Sequence, residues 1–200
     1  VTPDLQSWYD DLHYRREGET DAEHICRVVR ELDGVSLHSH REKLDALFCS
    51  IESESRAKVV DTWETNCASS AWAIIWLLGG FADPDDLVLS LRVGEAMSKL
   101  RGKCAHALAP SRDWRDVTPG CMLCYWSSGN DAHIEWALSA PDAAGLALHG
   151  GGGRAGCAIT CSKEPQDIRT SWGRRLQEIY LPEKLITREE LRYLPGVWEP

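Results

Sequence analysis

Cys67 opens the apolar stretch Asn66-Cys-Ala-Ser-Ser-Ala-Trp-Ala-Ile-Ile-Trp-Leu-Leu-Gly79, and a histidine follows far downstream in Asp131-Ala-His-Ile-Glu-Trp-Ala-Leu138. Cysteine attacks as the thiolate, and the unpaired N–H groups at a helix start favour that form and can hold a developing oxyanion. No charged side chain occurs from Cys67 to Gly80, so this helix is expected to be buried with only its first turn at a cleft. Taken alone, Cys67 would be an inert buried thiol. A thiol nucleophile needs a base, and the base needs an orienting group. His133 is the expected base and His149 the expected orienter, with Glu135 and Asp131 as alternatives. Glu135 shares the strand face of His133, where it could contact substrate or form a structural ion pair. Trp63 and Asn66, just before the nucleophile, are further candidates to contact substrate.

These residues need elements to position them. After the turn Trp114-Arg-Asp-Val-Thr-Pro-Gly120, residues Cys121 to Trp126 read as a strand, His133 to Ser139 as a second and Leu146 to His149 as a third. Three consecutive strands imply an antiparallel meander, in which a tight connection would bring His133 and His149 together. Residues Cys157 to Cys161 and Ser171 to Pro182 read as further strands. The predicted architecture is α+β: a buried helix carrying Cys67 on an antiparallel sheet of four to six strands, with a helical N-terminal extension over residues 1–60 and a catalytic domain over 61–200.

The run from Asn66-Cys67 through the apolar helix, then Pro119-Gly120, then His133-Ile-Glu-Trp-Ala-Leu, then Ala147-Leu-His149-Gly resembles the papain-like NlpC and CHAP cell-wall peptidases and amidases, including the amidase effectors of type VI secretion. The resemblance covers about residues 62–160. It implies a papain-like core in which Cys67 is the nucleophile, His133 the base and His149 the orienting residue. Two positions depart from the pattern: Cys121 stands where the family usually has aspartate, and Asn66 replaces the aspartate of the NlpC branch. The implied substrate is an amide bond in peptidoglycan stem peptides or another peptide, with no cofactor and no metal. An effector of this kind would have an immunity or inhibitor protein as partner. Two other readings stay open: a papain-like toxin that deamidates or acylates proteins, and a non-catalytic binding module stapled by disulfides or zinc.

The formal charge of −9 opposes non-specific binding to nucleic acid or anionic membrane, since both rely on basic patches. No stretch reaches the length of a membrane span, and no signal-peptide pattern is visible. Eight cysteines favour disulfides in an oxidising compartment, secreted or periplasmic. Cys26 and Cys49, on successive predicted helices, could be joined. Zinc on Cys121, Cys124, Cys157 and Cys161 is the rival use, opposed by the strand-like residues inside each pair.

Thr20-Asp-Ala-Glu23 and Ser39-His-Arg-Glu42 match capping boxes and predict helices over about 21–33 and 40–52, the first ended by Gly34. Their apolar stripes want to pack together or onto the catalytic domain. Thr187-Arg-Glu-Glu190 predicts another short helix. Gly151-Gly-Gly-Arg-Ala-Gly156 is not expected to hold a nucleotide, because no helix follows it; its glycines are expected to thin the backbone beside the cleft or to form a loop. His13, His24, His38, His40 and His106 are expected to be surface or satisfied histidines.

Overall fold

The computed structural model describes residues 2–36, 40, 42–43, 67–78, 111–128, 132–152 and 158–185. Most of the helix expected over 40–52, the capping boxes at Ser39 and Thr187, and Trp63, Asn66, Asp131, Cys49, Cys104, Cys157, His38 and His106 lie outside these residues.

Two helices precede the Cys67 helix. Helix α1, Pro3–His13, lies outside the elements expected from the sequence; Thr2 caps it by accepting from the Leu5 N–H and proline fills its first turn. Helix α2, Asp21–Glu31, carries the expected capping box, with Thr20 N–H donating to Glu23 Oε2 at 2.9 Å and Glu23 N–H to Thr20 Oγ1 at 3.2 Å. Gly34 follows it at φ 82°, as expected. Helix α3, Cys67–Leu77, has no charged residue in either end turn. His13 supplies part of its C-terminal capping by donating from Nδ1 to the Leu77 carbonyl, while His24 Nε2 donates to the Leu12 carbonyl at 2.7 Å. Both histidines are therefore satisfied and buried.

The remaining elements are β1 Met122–Trp126, β2 Ala132–Ala137, β3 Leu146–Ala147, β4 His149–Gly152, β5 Thr160–Cys161, β6 Gln166–Asp167, β7 Thr170–Ser171, β8 Arg174–Tyr180 and the short helix α4, Pro182–Leu185. Among the described residues they form a six-stranded antiparallel sheet in the order β5-β4-β2-β1-β8-β7 and a separate β3-β6 pair. The meander exists, but its third strand is displaced. Leu146–Ala147 pairs with β6, and the chain joins the main sheet only at His149. The strand expected over Cys157 to Cys161 is confined, among the described residues, to β5. The strand expected from Ser171 is instead a hairpin, broken by a turn at Trp172-Gly173.

Alternation along the central strands serves two cores. Met122, Cys124, Ile134 and Trp136 join Val28 and Val29 of α2 and Ala71, Ile74 and Ile75 of α3 in the larger one. Leu123, Tyr125 and Ala137 join Val117, Ala147, Ile168 and Ile179 in the smaller. Each fully buried Ile or Leu contributes roughly 1.5–3 kcal/mol, so the α2 stripe anchors the N-terminal arm to the sheet as well as to α3. Trp136 is wholly enclosed in this core, out of reach of a substrate.

Among the described residues Cys26, Cys67, Cys121 and Cys161 are free thiols, so the bridge expected at Cys26 is not formed. The Cys26 thiol instead donates to the Ala137 carbonyl at 3.5 Å. Cys121 belongs to the smaller core and Cys124 to the larger, on opposite sides of the sheet, an arrangement that keeps the two from ligating one metal.

Candidate functional site

The site gathers at the first turn of α3 and the start of β2. Cys67 is the first residue of α3, where its backbone N–H has no partner within the helix. Its thiol lies close enough to the imidazole of His133, the second residue of β2, to raise the pKa of that ring. Both are buried, with 6% of each surface exposed.

Strand periodicity places Glu135 on the His133 face. His133 Nε2 donates to Glu135 Oε1 at 3.1 Å. The other carboxylate oxygen faces His149 Nδ1 as an ion-pair contact of 2.7 Å, at an angle outside hydrogen-bond geometry. The register Ala137↔His149 brings this about, since it sets His149 diagonal to Glu135 across β2 and β4. The order along the site is thus Cys67, His133, Glu135, His149. The expected arrangement changes in one member: the carboxylate, not the second imidazole, contacts His133. Glu135 was also a candidate substrate contact, yet it is buried with each oxygen turned to an imidazole.

The charges follow from this enclosure. Burial lowers the His133 pKa, but hydrogen bonds to Cys67 and Glu135 and the negative charge of both outweigh it and carry it up to about 9. Burial would raise Glu135, but the hydrogen bond from His133 and the closeness of both imidazoles hold it at about 2. Near neutral pH the core of the site is therefore an imidazolium on an ionised carboxylate. Tyr125, opposite His133 in the β1–β2 register, lies with its ring centroid 6.5 Å from the imidazole. Burial and then the Glu135 charge keep its phenol protonated.

The glycines of β4 let the strand lie against this group. A Cβ on Gly152 would come within 2.7 Å of the Ile134 carbonyl oxygen and 2.9 Å of His133 Cε1. At Gly151, φ is 83° and a Cβ would lie 2.5 Å from Trp136 Cδ1. Close approach of backbone is what Gly151 and Gly152 provide.

Two features were not apparent from the sequence. Trp172, in the β7–β8 turn, has its ring centroid 5.9 Å from that of His133. A cavity of about 300 Å³ at the base of the same hairpin is lined by Arg112, Trp114, Arg169, Thr170, Arg175 and Leu176. Among the described residues, no group of His, Cys, Asp and Glu has the arrangement of a metal site, and no helix is long and apolar enough to cross a membrane. Comparison with known protein families, with curated proteins and with solved structures finds no match to the chain.

Proposed function

We propose that the protein is a cysteine-dependent hydrolase of amide bonds with a papain-like core. The observation that carries this reading is the continuous contact from Cys67, at the N-terminus of a buried helix, through His133 to Glu135. Helix start, base and buried carboxylate are what an activated thiol requires.

In the proposed reaction the Cys67 sulfur attacks the amide carbonyl carbon, and the N–H groups of the first turn of α3 hold the oxyanion. His133 gives its proton to the leaving nitrogen as the C–N bond breaks, leaving a thioester. It then takes a proton from water, which attacks the thioester and releases Cys67. Glu135 keeps the ring in place and balances its charge while His133 cycles between protonation states. His149, behind Glu135, fixes the carboxylate from its far side.

The substrate class rests on the resemblance to NlpC and CHAP enzymes, which points to peptidoglycan stem peptides. Purified sacculi incubated with the protein should release peptide-bearing fragments of defined mass, and Cys67→Ala should release none. Absence of fragments with the native protein, across sacculi of differing stem peptides, would reject that substrate. Equal release by Cys67→Ala would reject the thiol mechanism.

A further inference from the structure

The β7–β8 hairpin closes with the pair Ser171↔Arg174, so Trp172 and Gly173 form a two-residue turn. Their φ angles are 53° and 79°. Positive φ at both positions is the type I′ pattern, whose first position favours Asn, Asp or Gly; a bulky aromatic there is an outlier. Among the described residues Trp172 is the non-glycine residue with positive φ.

This strained residue borders the candidate base. The indole lies at 51° to the His133 imidazole, with 5.9 Å between centroids, and 53% of Trp172 is exposed while His133 is buried. On its other sides the imidazole meets Tyr125 and the glycine strand β4, both buried. An apolar surface kept for the core would be covered, and a turn built only to close a hairpin would carry Asn-Gly. Strain held beside a reactive group is characteristic of binding and catalytic sites.

We propose that Trp172 is the wall of a leaving-group subsite, taking a flat or apolar group attached to the scissile nitrogen. The inference rests on the reading of Cys67 and His133 as nucleophile and base. His133 hands its proton to the leaving amine, so what lies against the side of its ring facing Trp172 belongs to the amine half of the substrate. The indole offers that half a broad stacking face with little side-chain entropy to lose.

The test uses two haloacetamides on the intact protein: iodoacetamide and its N-phenyl derivative. Both alkylate the sulfur with loss of iodide, and they differ only in a flat group on the amide nitrogen. Peptide mapping gives the rate constant at Cys67, and the readout is the ratio of phenyl to parent rates. In the native protein this ratio should exceed that of free glutathione by about tenfold, the size of a good aromatic contact. Trp172→Asn, which installs the preferred Asn-Gly turn and should keep or raise Tm, should bring the ratio down to the glutathione value. Trp172→Phe should restore most of it. An unchanged ratio in Trp172→Asn overturns the subsite. Failure of iodoacetamide to label Cys67 in the folded protein overturns the thiol reading itself, a separate result.

Discussion

Glu135 holds His133 from two residues along the same strand, Oε1 accepting from Nε2 at 3.1 Å. Side chains at that spacing stand side by side on one face of a strand, so the contact needs no loop to create it. The second oxygen is turned to His149 on the neighbouring strand. The pairing of His133 with Glu135 is consequently set by strand geometry, and the place of the second imidazole by sheet register.

Glu135→Gln should therefore be more damaging than His149→Ala. The amide keeps the size of the carboxylate and loses its charge, so turnover is expected to fall by about 10- to 1000-fold. The alkaline limb of the pH profile should move down, because a negative charge that raises the His133 pKa is gone. His149→Ala leaves the contact with His133 in place and should cost about tenfold or less. Turnover against pH for both variants checks this, and the opposite order would put His149 next to the base.

The limits of sequence reasoning run along the same line. The apolar, uncharged segment after Cys67 and the alternation around His133 are local patterns, and helix α3 and strand β2 follow from them. So does the Thr20–Glu23 capping box. The choice between Glu135 and His149 was not local, since it depends on pairing Ala137 with His149, and register is a property of two strands. The same applies to the third meander strand, where Leu146 and Ala147 leave the main sheet for a partner twenty residues away. Trp172-Gly173 carries no ordinary turn signature, so the hairpin read as one strand. At Pro3 the signals were present, Thr2 before a proline and Leu5, Tyr9 and Leu12 on one stripe, and they predict a helix when weighed together.

Stability should vary with pH in a direction set by the buried pair. His133 is raised from the usual 6.5 to about 9, so its contribution is complete below 6.5 and is lost as pH rises through about 9. Glu135 is lowered from the usual 4.5 to about 2, so its contribution is present above 4.5 and is lost as pH falls through about 2. Tm should be highest between these limbs, from about pH 4.5 to 6.5. Glu135→Gln should flatten the acid limb and weaken the alkaline one. A wild-type Tm that rises from pH 6.5 to 9 would contradict the assignment of charge.

Gly152→Ala and Gly151→Ala should separate function from stability. A Cβ at Gly152 meets the Ile134 carbonyl oxygen and the His133 ring, so strand or imidazole must shift. A displaced base is expected to lower turnover by about 100-fold, with a smaller effect on Tm. At Gly151 the Cβ meets Trp136 and the positive φ adds strain, which should cost about 1–3 kcal/mol or more. Denaturant titration and turnover measured together distinguish the two, and equal effects at both positions would remove the special placement of Gly152.

The thiols should react in a definite order. Burial pushes Cys26 and Cys161 up to about 11, and it raises Cys121 as well despite hydrogen bonds from Thr118. At pH 7 a thiol with a pKa near 11 is thiolate in roughly one part in ten thousand, and the thiolate is the form that alkylates. Cys67 is just as enclosed by area, but it lies beside an imidazole carried up to about 9, and it sits where a helix N-terminus offers N–H groups to negative charge. Limited iodoacetamide at pH 7 should mark Cys67 first among these cysteines. His133→Ala should abolish that lead without unfolding the chain, because it removes the cationic neighbour that the described residues give the sulfur. If Cys26 or Cys161 were labelled first in the native protein, or if His133→Ala left the rate at Cys67 unchanged, the sulfur would be buried without being activated, and His133 would have no part in its chemistry.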